Sequence, residues 1–292
     1  MNNPLATLFD QFLKERTYLH NVTPATLRWY RIAFKSYRQA IPDDTAPLPT
    51  RQTLQHFVVR LRDRGVRPIT CNTYVGAMNA FCVWLQAEGH INDRVKLSKL
   101  RVERRFVQLL DDTQMQTLIG YKPASFGQRR VHVAALLILD TGLRISEVLN
   151  LRQSAVDYDN LILNVFGKGQ KERLVPFSPE LRKRLFRFDQ VKGKKGIRCE
   201  FLFGGVSGSR WEKRNSATSL YLMERKLGLP QFGWHRLRHT FATNYLRRGG
   251  DIVRLSMVLG HTQITTTQRY LHLLTADLSA SHQKLSILNR LG

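Results

Sequence analysis

Hydrophobic residues in the first third of the chain recur at helical spacing, which predicts helices with one buried face. The second of these helices opens with Thr23, a good N-cap, followed by Pro24 at the first helical position. Gly65 and Gly89 are expected to end the third and the fourth. The predicted helices cover about 4–18, 23–40, 51–64 and 70–88. Together they predict an all-helical N-terminal domain, residues 1–92.

The pattern becomes polar, basic and weakly periodic over 93–107, which is typical of an interdomain linker. Beyond it, apolar helical stretches alternate with short β-type runs that flank the Gly-rich turn at 167–171. Helices are predicted to begin near 112, 129, 144 and 214, and strands to cover 161–166, 172–177 and 201–203. The second domain, residues 108–292, is therefore predicted to be mainly α with a small antiparallel β-sheet.

The overall composition agrees with two ordinary folded domains. Hydrophobic residues make up 42% of the 292 residues, and the mean hydropathy is −0.31. No apolar run approaches the roughly 18 to 20 residues that a membrane span needs, and the N-terminus lacks the pattern of a signal peptide. The three cysteines match no zinc spacing and are interpreted as reduced thiols. These features predict a cytoplasmic protein with no membrane partner.

The charge balance changes this picture, because it points to a polyanionic partner. Lys and Arg number 46 against 22 acids, which gives a net charge of +24 and a pI of about 10.6. Residues 1–105 carry 17 basic and eight acidic residues, and the remainder carries 29 and 14. Such a charge destabilises a compact monomer by self-repulsion. Since both halves share it, nucleic acid held by both domains is the expected partner.

Four segments contain residue types suited to phosphodiester chemistry without a metal ion. That chemistry needs fixed cations for the non-bridging oxygens, a nucleophile, and an acid for the leaving oxygen. The segments are TGLRISEVLNL (141–151) with Arg144, GKGQKER (167–173) with Lys168, HRLRHTFATNYL (235–246) with His235 and Arg238, and VLGHTQITTTQRYLHL (258–273) with His261 and Tyr270.

Each segment taken alone also fits an ordinary structural role. Glu147, three residues after Arg144, would orient its guanidinium, or the two form a surface ion pair. Lys168 would enter a groove from a hairpin tip, or remain solvated there. His235 and Arg238 share one helix face, whereas Arg236 and His239 are interpreted as packing or surface residues. Tyr270 also suits a half-buried aromatic position.

Taken in order, the four segments resemble the motifs of the tyrosine recombinase (phage integrase) family, in its Xer-like or mobile-element branch. The resemblance extends over essentially the whole chain. It implies a helical, SAM-like core-binding domain followed by an α+β catalytic domain, which together form a C-shaped clamp on double-stranded DNA. It also implies a site-specific DNA recombinase that needs neither metal nor ATP and has no cofactor.

The same resemblance assigns a role to each candidate residue. Tyr270 would be the nucleophile, and Lys168 would protonate the departing 5′ oxygen. His235 would accept the tyrosine proton or assist in phosphate binding. The scissile phosphate would be bound by Arg144, Arg238 and His261. The reaction would pass through a 3′-phosphotyrosyl intermediate and a Holliday junction, for integration, excision, transposition or dimer resolution.

The resemblance also predicts partners. They are DNA with paired inverted half-sites, a homotetramer spanning two such sites, and an accessory DNA-bending protein or partner recombinase. An apolar stripe near the end of the chain, from Leu278 to Leu291, would dock on a neighbouring subunit or else cover its own core. Two other activities stay open at this point: a type IB DNA topoisomerase, and a DNA-binding protein that never cuts. The separate helical domain and the terminal stripe favour recombination over the topoisomerase, and the complete catalytic set argues against a protein that never cuts.

Overall fold

The computed structural model describes residues 4–41, 48–102, 108–167, 172–205, 207–261, 263–268 and 270. The chain divides into two compact units, Met1–Arg105 and Phe106–Gly292. Most described residues are helical, and a small three-stranded antiparallel sheet lies in the second unit, so the predicted fold class is confirmed. Among the described helices, none combines the length and apolarity that crossing a bilayer requires.

The first unit consists of the four predicted helices. They are α1 (Pro4–Tyr18), α2 (Pro24–Ala40), α3 (Arg51–Asp63) and α4 (Pro68–Ala87). The hydroxyl of Thr23 accepts a hydrogen bond from the Thr26 backbone N–H, as its predicted role as N-cap requires. Helix α4 begins two residues earlier than expected because Pro68, which the prediction placed in the preceding loop, occupies its first turn.

Aromatic rings form the core of the first unit. Phe9 stacks on Phe34 with ring centroids 3.8 Å apart, and Phe81 meets Phe9 edge-on at 5.2 Å. Cys71 and Cys82 are buried thiols in the same core, where burial raises the pKa of Cys82 to about 12. Offset and edge-on pairs of this kind add to the apolar burial that holds α1, α2 and α4 together.

Much of the predicted linker is attached to this first unit. The Asn79 side chain donates to the Leu97 carbonyl at 2.9 Å and accepts from its N–H at 3.0 Å. Asn72 does the same at Leu100, with distances of 2.9 and 2.7 Å. Two amides of α4 thus take the place of a neighbouring strand, and they satisfy a backbone that has no sheet partner of its own.

The second unit has eight helices among its described residues and one sheet. The helices are α5 (Asp112–Gly120), α6 (Phe126–Thr141), α7 (Ile145–Asn150), α8 (Pro179–Lys194), α9 (Lys213–Lys226), α10 (Gly233–Arg247), α11 (Ile252–Leu259) and α12 (Thr265–Gln268). The strands are β1 (Val156–Asp157), β2 (Ile162–Phe166) and β3 (Glu172–Pro176), paired in the order β1-β2-β3.

Helix α6 occupies the centre of this unit. Its residues 131–138 are all buried, since α8, α9 and α10 pack around it. The sequence there is accordingly apolar on every face, with one exception at His132. The His132 ring bonds the Leu118 carbonyl at 2.8 Å, and burial lowers its pKa to about 4, so it is neutral at neutral pH.

The structure departs from two expectations for this unit. Helix α8 covers a stretch for which no helix was predicted. The run 201–203 is not a strand of the sheet, because only Phe201 forms a single bridge, to Arg152. Its carbonyls instead accept from the buried Lys192 ammonium, at 3.4 Å from Phe201 and 3.1 Å from Leu202.

Candidate active site

Helix α10 carries two of the predicted site residues, and a carboxylate of the neighbouring helix anchors its start. Glu224 of α9, which is buried, accepts hydrogen bonds from the backbone N–H groups of Phe232 at 3.2 Å and Gly233 at 3.0 Å. Phe232 is the N-cap residue of α10, and its side chain cannot accept a hydrogen bond. The capping group therefore comes from another helix. A negative charge there is favoured by the helix dipole. The Glu224 carboxylate thus fixes the first turn of α10, which holds His235 and Arg238.

Arg238 is the centre of the site. Its side chain is buried, and it donates to the Gly142 carbonyl at 2.6 Å, the Leu259 carbonyl at 3.0 Å and His261 Nε2 at 2.9 Å. Burial, followed by repulsion from Arg144, lowers the pKa of Arg238 to about 10. Arg238 thus stays cationic at neutral pH and ties together three segments that are distant in the sequence.

Glycines at two helix ends allow this convergence. Gly142 has φ +68, and a Cβ there would lie 2.4 Å from the Phe241 ring. Gly260 has φ +64, and a Cβ there would lie 2.9 Å from the Arg173 guanidinium carbon. Both positions require left-handed backbone and close approach, which only glycine combines. Their carbonyls also accept hydrogen bonds within the site. The Gly142 carbonyl accepts from Arg238, and the Gly260 carbonyl accepts from Arg144 at 3.4 Å.

The protonation of His261 follows from its contacts. A guanidinium can only donate, so His261 Nε2 is the acceptor of the Arg238 hydrogen bond. The proton of the neutral ring then lies on Nδ1, which donates to the Thr267 hydroxyl at 2.7 Å. Thr267 is buried, so the imidazole is held in one orientation by a rigid partner.

Arg144 lies at the N-cap of α7, with part of its guanidinium exposed. It donates from Nη1 to Glu147 Oε1 at 3.0 Å, and its backbone N–H donates to Oε2 at 2.8 Å. The predicted i,i+3 pair is therefore confirmed. The alternative of a surface ion pair is wrong, because the Glu147 side chain is only 5% exposed against 33% for Arg144.

Glu147 has a second cationic partner, Arg173 of β3. Burial raises the pKa of Glu147, but the hydrogen bond and charge of Arg173, aided by Arg144, outweigh it and leave the pKa below its usual value. The carboxylate is thus ionised between two arginines. Beside it, a cavity of about 790 Å³ is lined by Arg144, Phe166 and His261 together with Gly260.

His235 lies one helical turn before Arg238 and is exposed. Partial burial lowers its pKa, and the positive charges of Lys213, Arg238 and Arg144 lower it further. A neutral imidazole at neutral pH can accept a proton, which is the property that a general base needs. Its position next to the two arginines places that capacity at the edge of the site.

Tyr270 is almost fully buried, in a cluster with Ala242, Leu255 and Leu259. Its ring lies against His239 of α10, with centroids 5.5 Å apart, and Arg238 and Tyr270 are close enough to interact electrostatically. His239 was interpreted as a packing or surface residue, and the residue that it packs on is the candidate nucleophile. Its neighbour Arg236 binds the backbone and side chain of Gln108.

The structure thus brings together Arg144, Arg238 and His261, with His235 and Tyr270 on elements that adjoin them. Lys168 lies outside the described residues, although the flanking strands pair up to Phe166 and Glu172. Sequence reasoning missed three contributors: Arg173, Glu224 and Thr267. Arg173 is the last residue of the GKGQKER segment, but its position in the sequence does not indicate that it contacts Glu147.

Comparison with known proteins places this geometry in a family context. Residues 108–277 match the Phage integrase family. Tyrosine recombinase XerC of Corynebacterium glutamicum is 29% identical over 285 residues, covering 96% of this chain and 92% of that protein. Tyrosine recombinase XerA of Thermococcus kodakarensis is 28% identical over 277 residues, covering 94% and 93%.

A solved structure shows the same fold. The Tn1549 transposon integrase in complex with transposon right end DNA is similar to this chain with a TM-score of 0.78 at 19% identity. The likeness covers 98% of this chain and 99% of that chain. It therefore extends over the described parts of both units.

Proposed function

Because this chain belongs to the phage integrase family and is a site-specific tyrosine recombinase, we propose that Tyr270 is the nucleophile with which it cuts DNA. One observation carries the assignment of the site. Arg238 contacts His261 at 2.9 Å, and Arg144 reaches the Gly260 carbonyl beside it, although these residues come from three separate segments. Such a convergence of fixed cations fits a single phosphate.

The two arginines have the properties that phosphate binding needs. Each guanidinium would donate to a non-bridging oxygen and offset the charge that grows as phosphorus becomes five-coordinate. Loss of one such donor typically costs a factor of about 10² to 10³ in rate. His261 holds the Arg238 fork through Nε2. To donate to the phosphate itself, His261 must give up this hydrogen bond and take up a proton on Nε2, which the arriving negative charge favours.

Cleavage is a direct displacement at phosphorus. The Tyr270 Oη forms a bond to phosphorus while the bond to the 5′ oxygen breaks, leaving a 3′-phosphotyrosyl link and a 5′ hydroxyl. His235 would take the tyrosine proton, and Lys168 would supply one to the 5′ oxygen. Attack by the 5′ hydroxyl of another strand reverses these steps and yields a Holliday junction. One phosphodiester replaces another, so the cycle has no thermodynamic need for ATP.

The nucleophile is tested by covalent trapping. A binding site is first selected from random-sequence duplex DNA with the full chain and then nicked near the cut, so that the released fragment diffuses away. Incubation in EDTA without nucleotide should give a protein–DNA adduct that survives denaturation. Tyr270→Phe should bind the site with unchanged affinity and give no adduct. An adduct of equal yield from Tyr270→Phe would overturn the assignment.

The selected DNA sequence also allows a test of strand exchange. Two copies in one supercoiled plasmid should yield recombinant circles. Relaxed plasmid without recombinants would favour the topoisomerase activity, and binding without either product would favour a protein that never cuts.

We propose that both units contact the DNA, since the excess of basic residues is spread over residues 1–105 and the remainder. In this proposal residues 1–92 bind the half-site, 93–107 connect, and 108–292 hold the chemistry. Four copies would join two sites made of inverted half-sites, with the stripe from Leu278 to Leu291 passing between subunits. That stripe lies outside the described residues. Sedimentation on DNA should give four protomers, and truncation after 276 should abolish the tetramer.

We propose that the protein acts in the cytoplasm, together with an accessory DNA-bending protein or a partner recombinase. The DNA beside the gene separates two roles: paired inverted half-sites would indicate dimer resolution, and flanking transposon ends would indicate mobility.

A further inference from the structure

Arg173 lies where three elements of the second unit meet, and it has no direct role in the proposed cleavage reaction. It belongs to β3, and its side chain is only 13% exposed. We call the group formed by Glu147, Arg173, Val258 and Gly260 the Arg173 junction. Its contacts account for each nitrogen of the guanidinium.

The first part of the junction is a paired contact with α7. Arg173 Nη1 donates to Glu147 Oε1 at 3.0 Å, and Nη2 donates to Oε2 at 2.9 Å. The same two oxygens accept from Arg144, through its Nη1 at 3.0 Å and its backbone N–H at 2.8 Å. One carboxylate is therefore shared by two arginines and is held in a single plane by the bidentate fork.

The second part joins Arg173 to the end of α11. Its Nε donates to the Val258 carbonyl at 2.9 Å. Its guanidinium packs over Gly260, where a Cβ would lie 2.9 to 3.0 Å from three of its atoms. The next residue is His261, so the position of Arg173 limits the position of the His261 backbone and thereby of its imidazole. The Gly260 carbonyl in turn accepts from Arg144.

Charge balance gives the junction a consequence for Arg144. With Glu147 ionised between two cations, Arg144, Glu147 and Arg173 together carry one net positive charge. Without Arg173, Arg144 alone would neutralise the buried carboxylate, and the attraction would draw its guanidinium toward Glu147. The cation offered to a phosphate would then be weaker and displaced.

We propose that Arg173 is a positioning residue, which holds Arg144 and His261 at the separation that one phosphate requires. Arg173 acts through Glu147 on one side and through Val258 and Gly260 on the other. The inference rests on the proposed function, because it takes Arg144 to be a phosphate ligand.

The test compares Arg173→Met with the full-length chain in single-turnover cleavage of the nicked site. Cleavage should slow by about 10²-fold, as expected for catalytic groups misplaced by around 1 Å. The affinity for the site should change less than threefold. Arg182→Met removes an exposed arginine of α8 that pairs with Asp159 at 3.6 Å, and it should cleave like the parent. Arg173→Lys keeps the charge but not the fork, so it should recover less than a tenth of the lost rate.

A second substrate separates positioning from general damage. A methylphosphonate at the scissile position lacks one negative charge and depends less on Arg144. The defect of Arg173→Met should shrink at least tenfold on this substrate. An equal defect on both substrates would show that Arg173 only supports the fold. If Arg173→Met unfolds, the same ratio measured with Arg173→Lys decides between the two.

The same two substrates also test whether Arg144 binds the scissile phosphate, as the proposed function requires. If Arg144 were no phosphate ligand, the defect of Arg144→Met would not shrink on the methylphosphonate either. A defect that shrinks for Arg144→Met but not for Arg173→Met would overturn the positioning role alone.

Discussion

Arg238 and Arg144 carry the same charge but differ in how free they are to move. Arg238 is 5% exposed and donates to two carbonyls and an imidazole, so its position is set before any ligand arrives. The Arg144 side chain is 33% exposed and is held mainly by Glu147. Fixed donors cost little reorganisation in a transition state. Arg238 therefore supplies a pre-formed contact, whereas Arg144 depends on its carboxylate partner.

The lowered pKa of His235 predicts the pH dependence of cleavage. His235 loses its proton below its usual titration range, so it is neutral and able to accept a proton at pH 7. The single-turnover rate should therefore be on its plateau at pH 7 and should fall as acid protonates the ring.

His235→Asn should lower the plateau and remove this acid limb, as measured between pH 5 and 8 on the nicked site. Control rates with Arg182→Met should keep the parental profile. If the acid limb persisted unchanged in His235→Asn, another group would have to be the base.

The sequence was sufficient to identify residues whose chemistry is visible in their type and spacing. Arg144, His235, Arg238 and His261 were proposed in this way, and the pair of Arg144 with Glu147 is present in the structure. The second partner of Glu147 was not proposed, because Arg173 lies 26 positions away on a strand. A contact of that kind depends on where β3 packs against α7, and periodicity carries no such information.

At the scale of elements, the site is built from helix ends. Gly142 ends α6 and Gly260 ends α11, both in left-handed backbone, and each presents a carbonyl to an arginine. A C-terminal carbonyl of a helix has no partner within the helix, so it is available to bind a cation. The same turns that stop the helices therefore also hold the candidate catalytic side chains.

Two glycines in left-handed backbone allow a matched test of this arrangement. Gly260→Ala adds a backbone cost and a clash with Arg173, whereas Gly249→Ala adds only the backbone cost. Gly249 has φ +84, and a Cβ there would meet no heavy atom of the described residues within 4 Å.

Gly249→Ala should lower the free energy of unfolding by about 1–2 kcal/mol, since alanine is strained in left-handed backbone. Gly260→Ala should lower it further, because its Cβ also clashes with Arg173. Only Gly260→Ala should also slow cleavage, by at least about tenfold, because the clash moves the Arg173 junction. Chemical denaturation and single-turnover cleavage measure the two effects. Equal cleavage by both variants would contradict the importance of this contact.

The missed helix α8 shows where element prediction failed. It follows a strand directly, with Ser178 as its N-cap and Pro179 in its first turn, and both signals were present. Its apolar positions are few, because only Leu181, Leu185 and Phe188 face the core among many charges. A narrow apolar stripe on a highly charged helix is easily mistaken for a loop.

At the scale of the molecule, the charge is the property that concerns DNA. Exposed basic residues occupy one face of α2, at Arg28, Arg31 and Lys35, in the unit that contains none of the candidate catalytic residues. A face of this kind fits backbone contacts to a duplex. Affinity would then depend on both units, and the chemistry on one.

Salt titration tests this division. Affinity of the full chain for the selected site should fall by at least about 10³-fold between 50 and 200 mM salt, provided that six or more phosphates are contacted. Arg31→Gln should reduce the slope of log K against log salt by about 0.9 if Arg31 neutralises one phosphate. Fluorescence anisotropy gives both values. An unchanged slope would exclude Arg31 from the DNA interface, and Arg182→Met provides the comparison from the second unit.

The sequence by itself determined the helical first unit, the small sheet, the charge and the residue types of the site, since these follow from local periodicity, turn residues and side-chain chemistry. Only the tertiary structure decided how those residues meet. Arg238 reaches a carbonyl 96 positions away, and Arg144 reaches one 116 positions away. The same packing sets the tautomer of His261 and shares Glu147 between two arginines. These facts depend on distances between distant segments, and such distances are fixed by how the ends of α6, α10 and α11 pack together.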